Sequence, residues 1–411
     1  MATVTALADA VLPLIRTRAD LHRWSAANEH GSRMHEGIDV LEAALPTAAP
    51  ADVYTVTHKA LASAISVIAR ADDSSGIIGD ACRRLLRLHP VVAAAAAVPA
   101  AALVDWMITF QFDGDVDYFE LDPVAYAPAL GERGMARYRR RLAEIEDGLG
   151  PRPSEEHRWI GGHSHDWFTL DWNARRLAVL DRDVEAIIAT HARDRRVAAW
   201  LHDTAKAFAE IGEIDLAIDW AWQATDFDRG YQSQRAAQYW CELLDQHRPG
   251  EALAARQFVF ERWPSSSTAA ALYRAAGPAW PDICEDVIAA LSSRPREVVL
   301  FALTTLKDAP FAWDLAHTLD LDDGLVWAEL AKVYEKVDPP AVVPILQRLV
   351  LGDLVEAKAQ NYRTAARRLA TMRRLAAGTE QAADVDALIA ALRETHRRRP
   401  RLQQEFDRAG L

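Results

Sequence analysis

Cysteine is scarce. The chain has 411 residues and three cysteines, Cys82, Cys241 and Cys284. They are odd in number and far apart, which excludes a disulfide framework and a thiolate zinc site and fits a reducing compartment. Positive charge is also in deficit: 47 Lys and Arg stand against 59 Asp and Glu, for a net charge of -12. Such a chain has no global attraction for nucleic acid or anionic membrane. A glycine-rich phosphate loop, an H-E-x-x-H pair and the kinase signatures are absent. The N-terminal stretch MATVTALADAVLPLIRTRADLH has neither the basic start nor the small-residue cleavage site of a secretory signal. The most membrane-like run, residues 90–110, is mostly alanine and holds Pro99 and Asp105. It falls short of the ~20 strongly apolar residues of a spanning helix, so it reads as two packed helices. A soluble, cytoplasmic protein is expected.

Period-2 alternation is nearly missing as well, and helical period takes its place. Val53, Val56, Ala60, Ile65 and Ile68 form one stripe. Tyr362, Ala365, Leu369, Met372 and Ala376 form another, and Val385, Leu388, Ile389 and Leu392 a third. Apolar residues so spaced line one face of a helix. REVVLFAL, residues 296–303, has strand composition, but Pro295 at a first helical turn favours helix. The expected fold class is all-α. In RADDSSGIIGDACRRLLRLH, residues 70–89, Asp72 to Gly76 supply capping oxygens and a hinge, and Ile78, Cys82, Leu85 and Leu86 a buried stripe.

The segment GLGPRPSEEH, 148–157, reads as a linker. It divides an N-terminal helical domain (1–147) from a linker and turn (148–164) and a helical repeat domain (165–411). In WLHDTAKAFAEIGEIDLAIDWAWQATDF, Leu201, Ala205, Phe208, Gly212, Ala217, Ala221 and Ala224 have the large and small spacing of a tetratricopeptide-like hairpin. A second unit places Ala252 35 residues after Ala217 and Pro264 beyond its second helix. Weaker copies follow at WPDICEDVIAALSSRP, APFAWDLAHTL and DPPAVVPILQRLV. The expectation is an α-solenoid whose concave face is open to a partner.

Chemistry has few candidates. GGHSHDW, residues 161–167, gathers His163, His165 and Asp166, the right ligand types for a metal-dependent hydrolase. The acidic residue and further histidine expected close behind are replaced by Trp167, Phe168, Thr169 and Leu170. A nucleophile elbow fails because Asp166 occupies the final glycine position. The favoured reading is a turn before a helix, capped by Ser164 or Asp166, whose Trp167, Phe168, Leu170 and Trp172 pack onto the repeat domain. Asp113, Asp115 and Asp117 have calcium-loop spacing, but Tyr118 and Val124 stand where glycine and glutamate are required, leaving an acidic inter-helix loop. Most of the thirteen tryptophans, among them Trp106, Trp200, Trp220, Trp313 and Trp327, fall inside helical periods and read as core.

The C-terminal segment reverses the charge balance, with twelve basic residues against seven acidic between 355 and 411. Arg363, Arg367 and Arg374 share one helix face, and Arg397, Arg398 and Arg399 close the next helix. These six form a candidate partner surface for phosphate or acidic peptide, set against the ordinary preference of cations for helix C-termini. No aromatic residue interleaves them for base stacking.

ADDSSGIIGDACRRLLRLH, LGERGMARYRRRL at 130–142 and the ending ADVDALIAALRETHRRRPRLQQEFDRAGL resemble an uncharacterised group of bacterial helical-repeat proteins. That group is similar to the region following the zinc finger in SWIM zinc-finger proteins. The finger's C-x-C and C-x-H pairs are missing here, so the resemblance implies the scaffold and no zinc or nucleic-acid role. The expected function is a non-enzymatic protein–protein interaction scaffold without cofactor, binding protein or peptide in its concave groove. The alternatives are a nucleic-acid-associated protein using the C-terminal arginines and a metal-dependent hydrolase centred on His163, His165 and Asp166.

Overall fold

In the computed structural model, which describes residues 4–114, 118–152 and 164–411, helix follows helix with no β-strand among those residues. The helices group into two compact units, Met1–Gln223 and Ala224–Leu411. Unit 1 holds α1 (Val4–Ile15), α2 (Trp24–Ala44), α3 (Pro50–Ile68), α4 (Ile77–Ala95), α5 (Ala100–Phe112), α6 (Pro123–Leu149), α7 (Ser164–Asp181), α8 (Val184–Ile187) and α9 (Ala198–Glu210). The division falls within α10 (Ile214–Asp226). Unit 2 continues through α11 (Tyr231–His247), α12 (Ala252–Arg262), α13 (Ser266–Ala276), α14 (Trp280–Ser292), α15 (Pro295–Phe301) and α16 (Ala309–Thr318). It ends with α17 (Gly324–Tyr334), α18 (Pro339–Val355), α19 (Ala359–Ala376), α20 (Ala382–Thr395) and α21 (Pro400–Arg408).

The predicted stripes are core. All five named residues of α3 and all five of α19 are buried, as are Val385, Ile389 and Leu392 of α20. The start of α4 shows why the helix begins there. Asp73 accepts hydrogen bonds from the backbone N–H groups of Ile78 (2.9 Å) and Gly79 (2.8 Å), satisfying donors that the first turn cannot pair internally. Gly76 takes a φ of +79° just before it, a conformation glycine adopts without penalty. REVVLFAL is helical, with Pro295 at the first position of α15. Gly212, at φ +80°, follows the end of α9.

Two of the hydrophobic clusters of unit 1 lie among its first seven helices. One is shared by α1 to α4, with Val11, Ile15, Met34, Ile38, Val56, Ile78 and Leu85. The other joins α5, α6 and α7 through Leu103, Met107, Tyr126, Leu130, Tyr138, Trp167 and Leu170. Trp167 and Leu170 therefore pack back onto the helices before them, contrary to the expectation that this stripe faces the repeat region. Their burial is set by α5 and α6, with which α7 shares long apolar faces. Helix α6 bends at Gly131, whose φ of +58° leaves the helical region.

In unit 2 the extensive packing runs only between helices one or two positions apart in the chain. Its core includes Leu272, Leu291, Val298, Trp327, Leu330, Val350, Leu369 and Phe406.

Candidate functional site

The sequence-derived centre at 161–167 is divided. His163 lies outside the described residues. His165 and Asp166 sit in the first turn of α7, and His165 Nε2 lies 2.9 Å from the Gln111 carbonyl. Among the described residues no group of three or more His, Cys, Asp or Glu has metal-ligand geometry. Asp115 and Asp117 also lie outside the described residues, and Asp113 follows the end of α5.

About two turns beyond His165, α7 contributes instead to a buried amide and phenol network. Tyr138 Oη donates to Asn173 Oδ1 (2.6 Å), Gln111 Nε2 donates to Tyr138 Oη (2.7 Å), and Asn173 Nδ2 donates to Gln111 Oε1 (3.0 Å). Asn173 Nδ2 also reaches the Thr169 carbonyl at 2.9 Å. Each polar group is paired, so the ring ties α5, α6 and α7 at little desolvation cost.

The arginine face of α19 forms as its spacing predicts: Arg363, Arg367 and Arg374 are all exposed. Arg374 pairs with Glu335 at 3.0 Å, Arg397 with Glu394 at 2.7 Å, and Arg399 donates to the Leu354 carbonyl at 3.0 Å. Arg363, Arg367 and Arg398 have no ion pair among the described residues. The neighbouring cations are internal ties, with Arg368 on Asp353 (2.6 Å), Arg373 on Asp386 (2.8 Å) and Arg393 on Asp407 (2.7 Å). Much of the local positive charge is thus spent joining one helix to the next.

Two features gave no local signal. The first is a relay in unit 1. His58 Nδ1 lies 2.9 Å from His89 Nε2, and His89 Nδ1 lies 2.9 Å from Tyr126 Oη. Trp106 lies against His89 with ring centroids 4.4 Å apart, and Tyr54 flanks both imidazoles. Burial, with His58 adding to it, pushes His89 down to about 3, and burial also lowers His58. Burial raises the Tyr126 phenol far above its ordinary value. This relay is therefore neutral at physiological pH and is a packing device with polar satisfaction.

The second is a groove of about 390 Å³ in unit 2, between the start of α17 and the C-terminal half of α18. Trp327 forms its floor. Its ring is 2% exposed, its Nε1 donates to the Leu321 carbonyl at 2.8 Å, and the Arg348 guanidinium lies 4.9 Å over it. Asp323 caps α17 by accepting from the N–H groups of Leu325 (2.9 Å) and Val326 (3.1 Å), and it meets Arg296 Nε at 3.0 Å. Partial burial pushes the Asp323 carboxyl up, and these N–H bonds and Arg296 more than reverse it, leaving it below the usual range. Burial raises Asp353 against the pull of Arg368.

The groove is lined largely by charged residues, Asp322, Asp323, Arg348, Asp353 and Arg368, with Leu325 at its edge, and two further aliphatic side chains are exposed on α18. Leu325 is 79% exposed, Val355 79% and Leu351 47%. Leu351 and Val355 share with Arg348 and Gly352 the i, i+3, i+4, i+7 face of α18. Burying an aliphatic side chain of this size is worth roughly 1.5–3 kcal/mol, so Leu325 at the groove and Leu351 and Val355 on the adjoining α18 face form a surface that gains by being covered. Periodicity misses it, because a Leu and a Val four apart look the same in sequence whether they face a core or water.

Fold and surface define an all-helical protein of two compact units, with no helix among the described residues long and apolar enough to cross a membrane. The chain belongs to a family of unknown function (DUF6880), which matches it over residues 12–402. No curated protein and no solved structure matches the chain.

Proposed function

We propose that this protein is a non-enzymatic interaction scaffold that binds an aliphatic-anchored segment of a partner protein in the groove between α17 and α18. The observation that carries the proposal is the exposure of Leu325, which lines the groove beside Trp327, and of Leu351 and Val355 on the α18 face that supplies the lining residues Arg348 and Gly352. Its architecture, in this reading, is a tetratricopeptide-like stack of helical hairpins in unit 2. Packing restricted to helices one or two apart supports that, since a stacked array needs only near neighbours. The likeness to the region following the SWIM finger belongs to the same reading and adds nothing about chemistry.

The test is affinity capture with full-length tagged protein from its own cell lysate, with nuclease, comparing wild type, the double variant Leu325→Asp/Val355→Asp and a remote control, Val91→Asp. Val91 is exposed on α4 in unit 1. Two buried aliphatic anchors correspond to at least about a hundredfold in affinity. Wild type and control should recover the same protein near stoichiometry, and the double variant should lose it. A partner retained by the double variant overturns the groove. Material that disappears with nuclease would move the function to nucleic acid and to Arg363, Arg367 and Arg398.

A further inference from the structure

Unit 1 carries a second cleft, of about 550 Å³, between the turn that follows α1 and one face of α3. Four cations line it: Arg16, Arg18, Lys59 and Arg70. No carboxylate lines it, and none of the four has a carboxylate partner among the described residues. In a chain with twelve more acidic than basic residues, an acid-free cleft of this kind runs against the average surface. Asp20, the acidic residue nearest along the α1–α2 turn, is turned to the His22 backbone N–H (2.9 Å).

Two of the cations, Arg16 and Arg70, are also held in place. Arg16 Nε donates to Ser63 Oγ at 3.1 Å, and Ser63 Oγ donates in turn to the Lys59 carbonyl at 2.7 Å. Arg70 reaches the carbonyls of Ala19 (3.3 Å) and Thr17. Thr17 Oγ1 accepts from the Ala19 N–H at 3.0 Å, so its own proton is directed elsewhere. Ser66 adds a further hydroxyl to the wall.

Helix dipoles do not account for this charge. Two helix C-termini lie near the cleft, those of α1 and α3, and each contributes a partial charge of about −0.5. Four full positive charges against about one negative leave a large excess. An anion of two or more charges, with several acceptor oxygens, matches guanidinium forks, an ammonium and hydroxyl donors together. The volume is that of a small-molecule site, within the ~300–1,000 Å³ range, and the cations are gathered in one cleft, whereas a nucleic-acid surface spreads them along a track.

We propose that this cleft binds a phosphate-bearing small anion. Calorimetric titration of the full chain with inorganic pyrophosphate at low ionic strength tests it. The variant is Arg18→Ala/Lys59→Ala, two side chains given no ion pair in the structure. The control is Arg397→Ala/Arg398→Ala. Wild type and control should show saturable binding, weakening with salt, and the cleft variant should bind at least about tenfold more weakly. As a readout independent of any variant's folding, pyrophosphate should protect Lys59 of the wild type from acetylation, read by mass spectrometry. Undiminished binding by the cleft variant, absence of saturable binding, or unprotected Lys59 overturns the proposal. A short single-stranded DNA that binds more tightly than pyrophosphate and is lost in the same variant would assign the cleft to nucleic acid and overturn the small-anion reading.

Discussion

Acidifying the solution from about pH 7 to about pH 5 is expected to lower the unfolding midpoint of unit 1 by roughly 10 °C. The cause is two buried imidazoles. Burial holds His89 down to about 3, and burial, with Arg175 adding to it, holds His191 down to about 4. In the unfolded chain each returns to about 6.5. Their folded values lie below their unfolded ones, so between these limits the unfolded chain binds more protons. Stability is fully present above about pH 6.5 and is lost as pH falls toward 3–4. At about pH 5 each group forfeits roughly 2 kcal/mol, some 4 together, a large share of the ~5–15 kcal/mol that holds a domain. Burial shifts His30 and His58 in the same direction. Thermal unfolding by tryptophan fluorescence at several pH values checks this. His89→Gln, which cannot charge, should remove about half of the pH slope whatever its absolute stability. A slope unchanged both in that variant and in His191→Gln would show that these imidazoles are not the acid-sensitive groups.

The second large effect is expected from Asn173→Leu. The substitution is nearly isosteric, yet it strands Gln111 Oε1 and the Tyr138 hydroxyl proton, which Asn173 alone pairs in the ring described above. Each buried group left without its partner costs about 1–3 kcal/mol, so a loss of roughly 2–5 kcal/mol is anticipated. Denaturant unfolding should show a lower midpoint. Tyr138→Phe, which removes one partner and leaves Asn173 its bonds to Gln111 and Thr169, should lose less. Equal or reversed losses for the two variants would mean that the amide is not the hub.

Local chemistry made part of this molecule readable. A 3.6-residue period places the stripes of α3, α19 and α20, because one face of each meets a core along its whole length. An aspartate ahead of α4 and a glycine at 212 mark helix ends, because the orphaned N–H groups and the left-handed turn are local demands. What escapes are features that depend on how helices are rotated about one another. His58, His89 and Tyr126 stand 31 and 37 residues apart and share no motif. The backward packing of Trp167 and Leu170 is decided by α5 and α6. The C-terminal arginines read as a face, yet the carboxylate met by Arg374 lies 39 positions away. Leu351 and Val355 of α18 read as core until the neighbouring helices prove to be elsewhere. The acid-free cleft of Arg16, Arg18, Lys59 and Arg70 needs two segments more than forty residues apart to come together.

The near-neighbour packing of unit 2 bears on how the chain is made. The helices of unit 2 find their main contacts with neighbours one or two positions away in the chain, so little loop-closure entropy separates one docking event from the next. Such a unit can assemble as it leaves the ribosome, helix upon helix, without waiting for a distant strand or terminus to return. The growing end then carries an uncovered apolar face until the next helix arrives, and in the folded unit the apolar face of α21 is covered, with Leu402 and Phe406 turned inward.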